Sequence, residues 1–88
     1  MQALRKFIEQ KNHWNSFFQG EQYEIATAKG RQRVADMIDN CLSPENLTCD
    51  GELPRAEVNR RYRELMAAAK QLRTLDPSVK FYEYDEAI

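Results

Sequence analysis

His13, Cys41 and Cys49 are the side chains of this sequence with the readiest chemistry, and their spacing limits what they can do. Nucleophilic catalysis needs a thiol or hydroxyl beside a base, with a third group to orient that base. A soft metal site needs several ligands at short spacing. Seven residues separate the two cysteines, and His13 lies far upstream, one position before Trp14. No loop-borne cluster of Asp, His, Cys or Arg accompanies it, so no catalytic residue, no cofactor and no metal ligand is expected. Cys41 reads as a small buried helix residue and Cys49 as a loop thiol. The glycines, Gly20, Gly30 and Gly51, stand alone and form no phosphate cradle.

Binding chemistry is better represented. Arg60, Arg61 and Arg63 surround Tyr62, a composition that suits nucleic-acid contacts. On a helix, at about 100° per residue, the run splits: Tyr62 turns to the apolar seam, Arg60 nearly opposite, and Arg61 and Arg63 to the two flanks. Arg55, Asn59, Arg63, Met66, Lys70 and Arg73 do share one flank, at steps of three and four. Such a stripe can contact phosphates in a salt-dependent, sequence-blind way. The favoured alternative is that it covers the core edge and pairs with acids of a neighbouring element or of the C-terminal segment.

Two aromatic groups add to this. Trp14, Phe17 and Phe18 are expected in the core of so small a domain. The alternative is an interface hot spot at Trp14 and Phe17, where three helices leave large rings uncovered. The segment Phe81-Tyr82-Glu83-Tyr84 mixes rings with acids and continues through Asp85-Glu86-Ala87-Ile88. As a free peptide it would bind through Phe81, Tyr82 and Tyr84 to a basic groove or a sheet edge. The slightly favoured expectation is that Phe81 and one tyrosine pack on the bundle while the last residues fray.

The elements that must position these groups are helices. Leu4, Phe7, Ile8, Lys11, Trp14 and Phe18 recur at three- and four-residue steps and predict a helix over 3–19, with Gly20 as its stop. A second helix is expected over 21–42 along Tyr23, Thr27, Gly30, Val34, Met37 or Ile38, and Cys41, with Gly30 allowing another helix close. Ser43-Pro44-Glu45 predicts an N-cap and a short helical turn, Leu47 a core anchor, and Asp50-Gly51 a tight turn. The cleanest pattern is Val58, Tyr62, Leu65, Ala69 and Leu72, a heptad seam on a helix over 54–75 that ends at Asp76-Pro77. The connection before it is too long for a helix-turn-helix reader.

The expected architecture is therefore all-α: a small domain of three antiparallel helices over 1–77, with an extended acidic and aromatic tail over 78–88. At 88 residues there is room for one domain, and a shared core in a homodimer would help so short a chain. Net charge is −1, but residues 54–75 carry six cations against two acids, flanked by acidic segments on both sides. No run of about 20 apolar residues and no signal-like apolar stretch is present, so no membrane partner and a cytoplasmic setting with reduced cysteines are expected. The chain resembles, in general character alone, small accessory proteins of bacteria, phages or plasmids. The expected function is a non-enzymatic protein–protein interaction module, an adaptor, regulator or inhibitor. The alternative is a small nucleic-acid-binding domain that uses the basic stripe.

Overall fold

Alanine-rich sequence between bulky seam residues makes the last long helix the natural spine, because alanine carries the highest helix propensity and lets neighbouring backbones approach. The computed structural model of the chain describes residues 2–18 and 20–88. It contains α1 (Gln2–Phe18), α2 (Ala28–Leu42), α3 (Pro44–Thr48), α4 (Arg55–Leu75) and α5 (Glu83–Ala87), with no strand among the described residues. The fold is all-α, as the periodicity implies. The expected end of the first helix at Gln19 lies outside the described residues.

Helix α4 is the shared partner of α1, α2 and α3, while α5 seats on α2. Leu65, Ala68, Ala69 and Leu72 of α4 meet Val34, Ala35, Ile38 and Leu42 of α2 in the core, with Leu4 and Phe7 of α1. Tyr62 is a correction: it is 36% exposed, and Ala68 takes the inward position instead. The buried face of α4 is rotated from the heptad seam toward Ala68, where a methyl group admits α2 closely. Arg31, early in α2, pairs with Asp76 at the end of α4 at 2.6 Å. Arg61, early in α4, reaches the Asn46 carbonyl of α3, which follows α2 directly, so α2 and α4 run antiparallel.

Helix α2 begins at Ala28, seven residues later than its seam suggests. Thr27 is extended and its hydroxyl accepts the Gly30 N–H at 2.9 Å, which makes it the N-cap. The preceding residues are held as a loop by other polar groups. The Asn12 side chain accepts the Tyr23 N–H and donates to the Tyr23 carbonyl, and the Glu24 carboxylate accepts from Ala26 N–H and Thr27 hydroxyl. The Thr27 and Ala26 bonds hold the Glu24 carboxyl below its usual range. A Cβ at Gly30 would run into the Glu24 side chain and carbonyl, so this glycine serves the loop and not a crossing helix.

The connection behaves as its residues suggest, with one change. Pro44 opens α3, Leu47 packs against the core, and Cys49, Asp50 and Gly51 all take left-handed backbone at φ 48°, 56° and 86°. Ser43 is the N-cap of α3 by position, with Pro44 next, but its side chain makes no capping bond there. Its hydroxyl donates to the Asn40 carbonyl and closes α2 instead. Pro54 likewise precedes α4 as its cap residue rather than forming its first turn.

The C-terminal segment departs most from an extended tail. Val79, Phe81 and Tyr84 are buried, and Glu83–Ala87 form a single closing turn of helix. The Gln32 amide pairs with both the N–H and the carbonyl of Lys80 at 2.9 Å. The Asp39 carboxylate accepts the N–H groups of Tyr82 and Tyr84 at 2.6 and 3.2 Å, and so supplies the cap that α5 lacks locally.

Candidate partner-binding surface

The apolar stripe of α1 continues past the point where the core ends. Leu4 and Phe7 are buried, but Trp14, Phe17 and Phe18 are 60%, 66% and 77% exposed. This corrects the expectation that all three rings lie in the core. A 17-residue helix is about 25 Å long, and α1 reaches the bundle only with its first half. In the second half, the positions that continue the Leu4 and Ile8 face are Asn12 and Asn15. Asn12 clamps Tyr23, and the Asn15 amide donates to the Glu21 carbonyl at 2.7 Å while its own carbonyl accepts Gly20 N–H at 3.1 Å. The inward face is thus spent on holding a loop, with Trp14 well to one side of it and Phe17 nearly opposite.

The rings cover one another only in part. His13 meets Phe17 edge-on with centroids 5.2 Å apart, and Trp14 lies 6.3 Å from both His13 and Phe17. Taking about 150–250 Å² per large ring, their exposed fractions leave an aromatic surface of about 400 Å². That is the size at which an apolar patch on a small protein is commonly functional.

A cleft of about 450 Å³ lies between α1 and α4. Lys6, Phe7, Gln10 and Lys11 form one wall and Glu57, Arg60, Arg61 and Glu64 the other. Arg60 binds both acids of the cleft, Glu64 at 2.9 Å and Glu57 by a shorter bond. That hydrogen bond is the main cause of a Glu57 carboxyl below its usual range and an Arg60 guanidinium above its own. Lys6 adds a 3.9 Å contact to Glu64. Lys11 lies 5.6 Å from the centroid of Phe7, a cation held by a ring and not by an acid.

The basic flank of α4 is shorter than its spacing suggests. Arg55, Asn59, Arg63 and Lys70 are exposed, whereas Met66 is half-buried against the core. Arg73 is withdrawn from the stripe: it pairs with Asp85 at 3.1 Å and its guanidinium lies over Phe81 and Tyr84, 5.1 and 5.9 Å from their centroids. The same stacking removes Phe81 and Tyr84 as partner-binding candidates, leaving Tyr82 exposed at 68%. Arg60, Arg61 and Arg63 diverge as the helical wheel requires, to the Glu57 and Glu64 pair, to α3 and to solvent.

The residues with catalytic potential are not brought together. His13 belongs to the aromatic patch, Cys41 lines the cleft and Cys49 is exposed at the end of α3, with the Arg61 guanidinium 3.4 Å from its sulfur. Among the described residues no group of three His, Cys, Asp or Glu side chains is placed to hold a metal ion, and no helix is long and apolar enough to cross a membrane. The positioning residues that the spacing of rings and cations misses are Asn12, Asn15 and Asp39. Their signal is legible for the first two, since asparagine twice replaces an apolar residue along the face begun by Leu4 and Ile8.

Fold and surface together define a small all-α domain with one uncovered aromatic helix end. Comparison with known protein families, with curated proteins and with solved structures finds no match to the chain.

Proposed function

We propose that this chain is a non-enzymatic protein–protein interaction module, acting by binding alone through the aromatic end of α1. The observation that carries this reading is the exposure of three rings together, Trp14, Phe17 and Phe18, at one helix end, whereas Phe7, Tyr23, Phe81 and Tyr84 are covered and Tyr62 and Tyr82 are exposed singly. Tryptophan is enriched where binding energy concentrates, and covering exposed rings with a partner removes apolar area from water at about 25 cal/mol per Å². An adaptor, regulator or inhibitor of the cytosol fits this surface, with Cys41 and Cys49 as reduced thiols.

The test compares retention of host proteins by the full chain and by a Trp14→Ala, Phe17→Ala, Phe18→Ala variant. A protein held by the first and lost by the second is expected. Identical retention by both ends this reading.

A second reading rests on Arg55, Arg63 and Lys70, which have no acidic partner among the described residues. They form a small phosphate-binding flank for nucleic acid. It predicts retention that weakens steeply with salt and is lost in an Arg63→Glu, Lys70→Glu variant.

A further inference from the structure

We infer that the aromatic end of α1 is closed by a second copy of this chain, the two helices crossing antiparallel at Trp14. This deepens the interaction-module reading and rests on it. Gln10, Lys11, Trp14, Phe17 and Phe18 lie on one side of α1 at the three- and four-residue steps of a helix–helix seam. A twofold axis at Trp14 sets Phe18 beside Lys11 of the second copy and Phe17 beside its Gln10.

Charge favours this pairing. Lys11 already has one ring, Phe7, at 5.6 Å, and the second copy supplies another on its open side, with no acid needed. The last turn of α1 contains no basic residue to offset the partial negative charge of its carbonyls. An antiparallel neighbour brings a lysine toward that end in both directions at once, as an isologous contact must.

The area is sufficient. About 400 Å² of exposed ring per copy supplies, in a twofold contact, about half of the roughly 1,600 Å² buried in a standard stable interface. The remainder comes from Gln10, Lys11, His13 and the rim of the cleft. A chain of 88 residues buries a limited core alone, and the shared rings extend it.

Sedimentation equilibrium of the full chain up to about 100 μM, with Trp14 emission followed over the same range, tests the inference. Trp14 is the single tryptophan, so its emission reports this surface alone. The expected result is a dimer mass, with emission moving to shorter wavelength as the dimer fills. Phe17→Ala and Phe18→Ala each weaken dimerisation by about tenfold or more, Lys11→Glu by several-fold, and Arg63→Ala leaves it unchanged. All four positions lie outside the buried core, and circular dichroism verifies their helicity. A monomer across the whole range, or a dimer indifferent to Phe17→Ala and Phe18→Ala, overturns the inference. A strict monomer leaves the interaction-module reading intact if the ring variant still loses a retained protein, so the two failures are distinct.

Discussion

Two short segments of this chain have similar aromatic content and opposite fates. Trp14, Phe17 and Phe18 stand in solvent at the end of α1, while Phe81 and Tyr84 are covered and only Tyr82 stays out. Hydrophobicity does not separate them, since the exposed set is the more apolar. The difference lies in which polar groups on other elements tie down the backbone that bears the rings. Gln32 and Asp39 of α2 bind the main chain at Lys80, Tyr82 and Tyr84, and Arg73 of α4 roofs the two rings. At α1 the comparable ties, from Asn12 and Asn15, bind a loop and leave the rings beside it. A ring is buried when the segment carrying it is held over apolar surface, whatever its own preference for leaving water.

The sharpest test of that contrast is truncation of one ring from each set. Phe81→Ala removes a buried side chain and leaves a cavity among Tyr84, Val79 and the Arg73 stem. It is expected to destabilise by about 3–5 kcal/mol, a large share of the total for a domain of this size, read as a lowered urea midpoint. A smaller effect is expected from the hinge that turns the chain from α4 into this segment. Asp76 accepts from the Ser78 hydroxyl and backbone and from Arg31, and these bonds, Ser78 first, hold its carboxyl down to about 2. A depressed folded-state value means the contribution is full above the ordinary aspartate value of 3.8 and is lost as pH falls through about 2. Thermal melts between those pH values should therefore show a slope that Asp76→Asn flattens. The smallest effect belongs to the exposed set. Trp14→Ala and Phe17→Ala should shift the melting free energy of the dilute monomer by no more than about 0.5 kcal/mol, although Phe17→Ala is expected to weaken association by about tenfold or more. A loss as large as that of Phe81→Ala would show that both ring sets belong to the core.

Much of the fold is legible in residue spacing. The α4 helix with its inward Leu65, Ala69 and Leu72, the stop at Asp76-Pro77, the α3 turn behind Pro44 and the left-handed turn at Asp50-Gly51 follow from local chemistry, whereas Tyr62 leaves the seam to Ala68. The start of α2 is less so: Tyr23 and Thr27 fit the helical period, but the Asn12 clamp and the Thr27 cap outcompete one more turn of helix. The candidate surface is legible only as a list of rings and cations. Nothing in the spacing of Arg55, Arg63, Lys70 and Arg73 singles out Arg73, which leaves the stripe because Asp85 and two rings reach it from the far end of the chain.

By itself the sequence determined that this is an all-α chain, where three of its helices run and which residues could bind, because helix period, proline and glycine act within a few residues. Tertiary structure alone decided which rings face water and which cations remain free. Those outcomes depend on Asn12, Gln32, Asp39 and Arg73 finding partners 11 to 48 positions away, a distance over which spacing carries no signal.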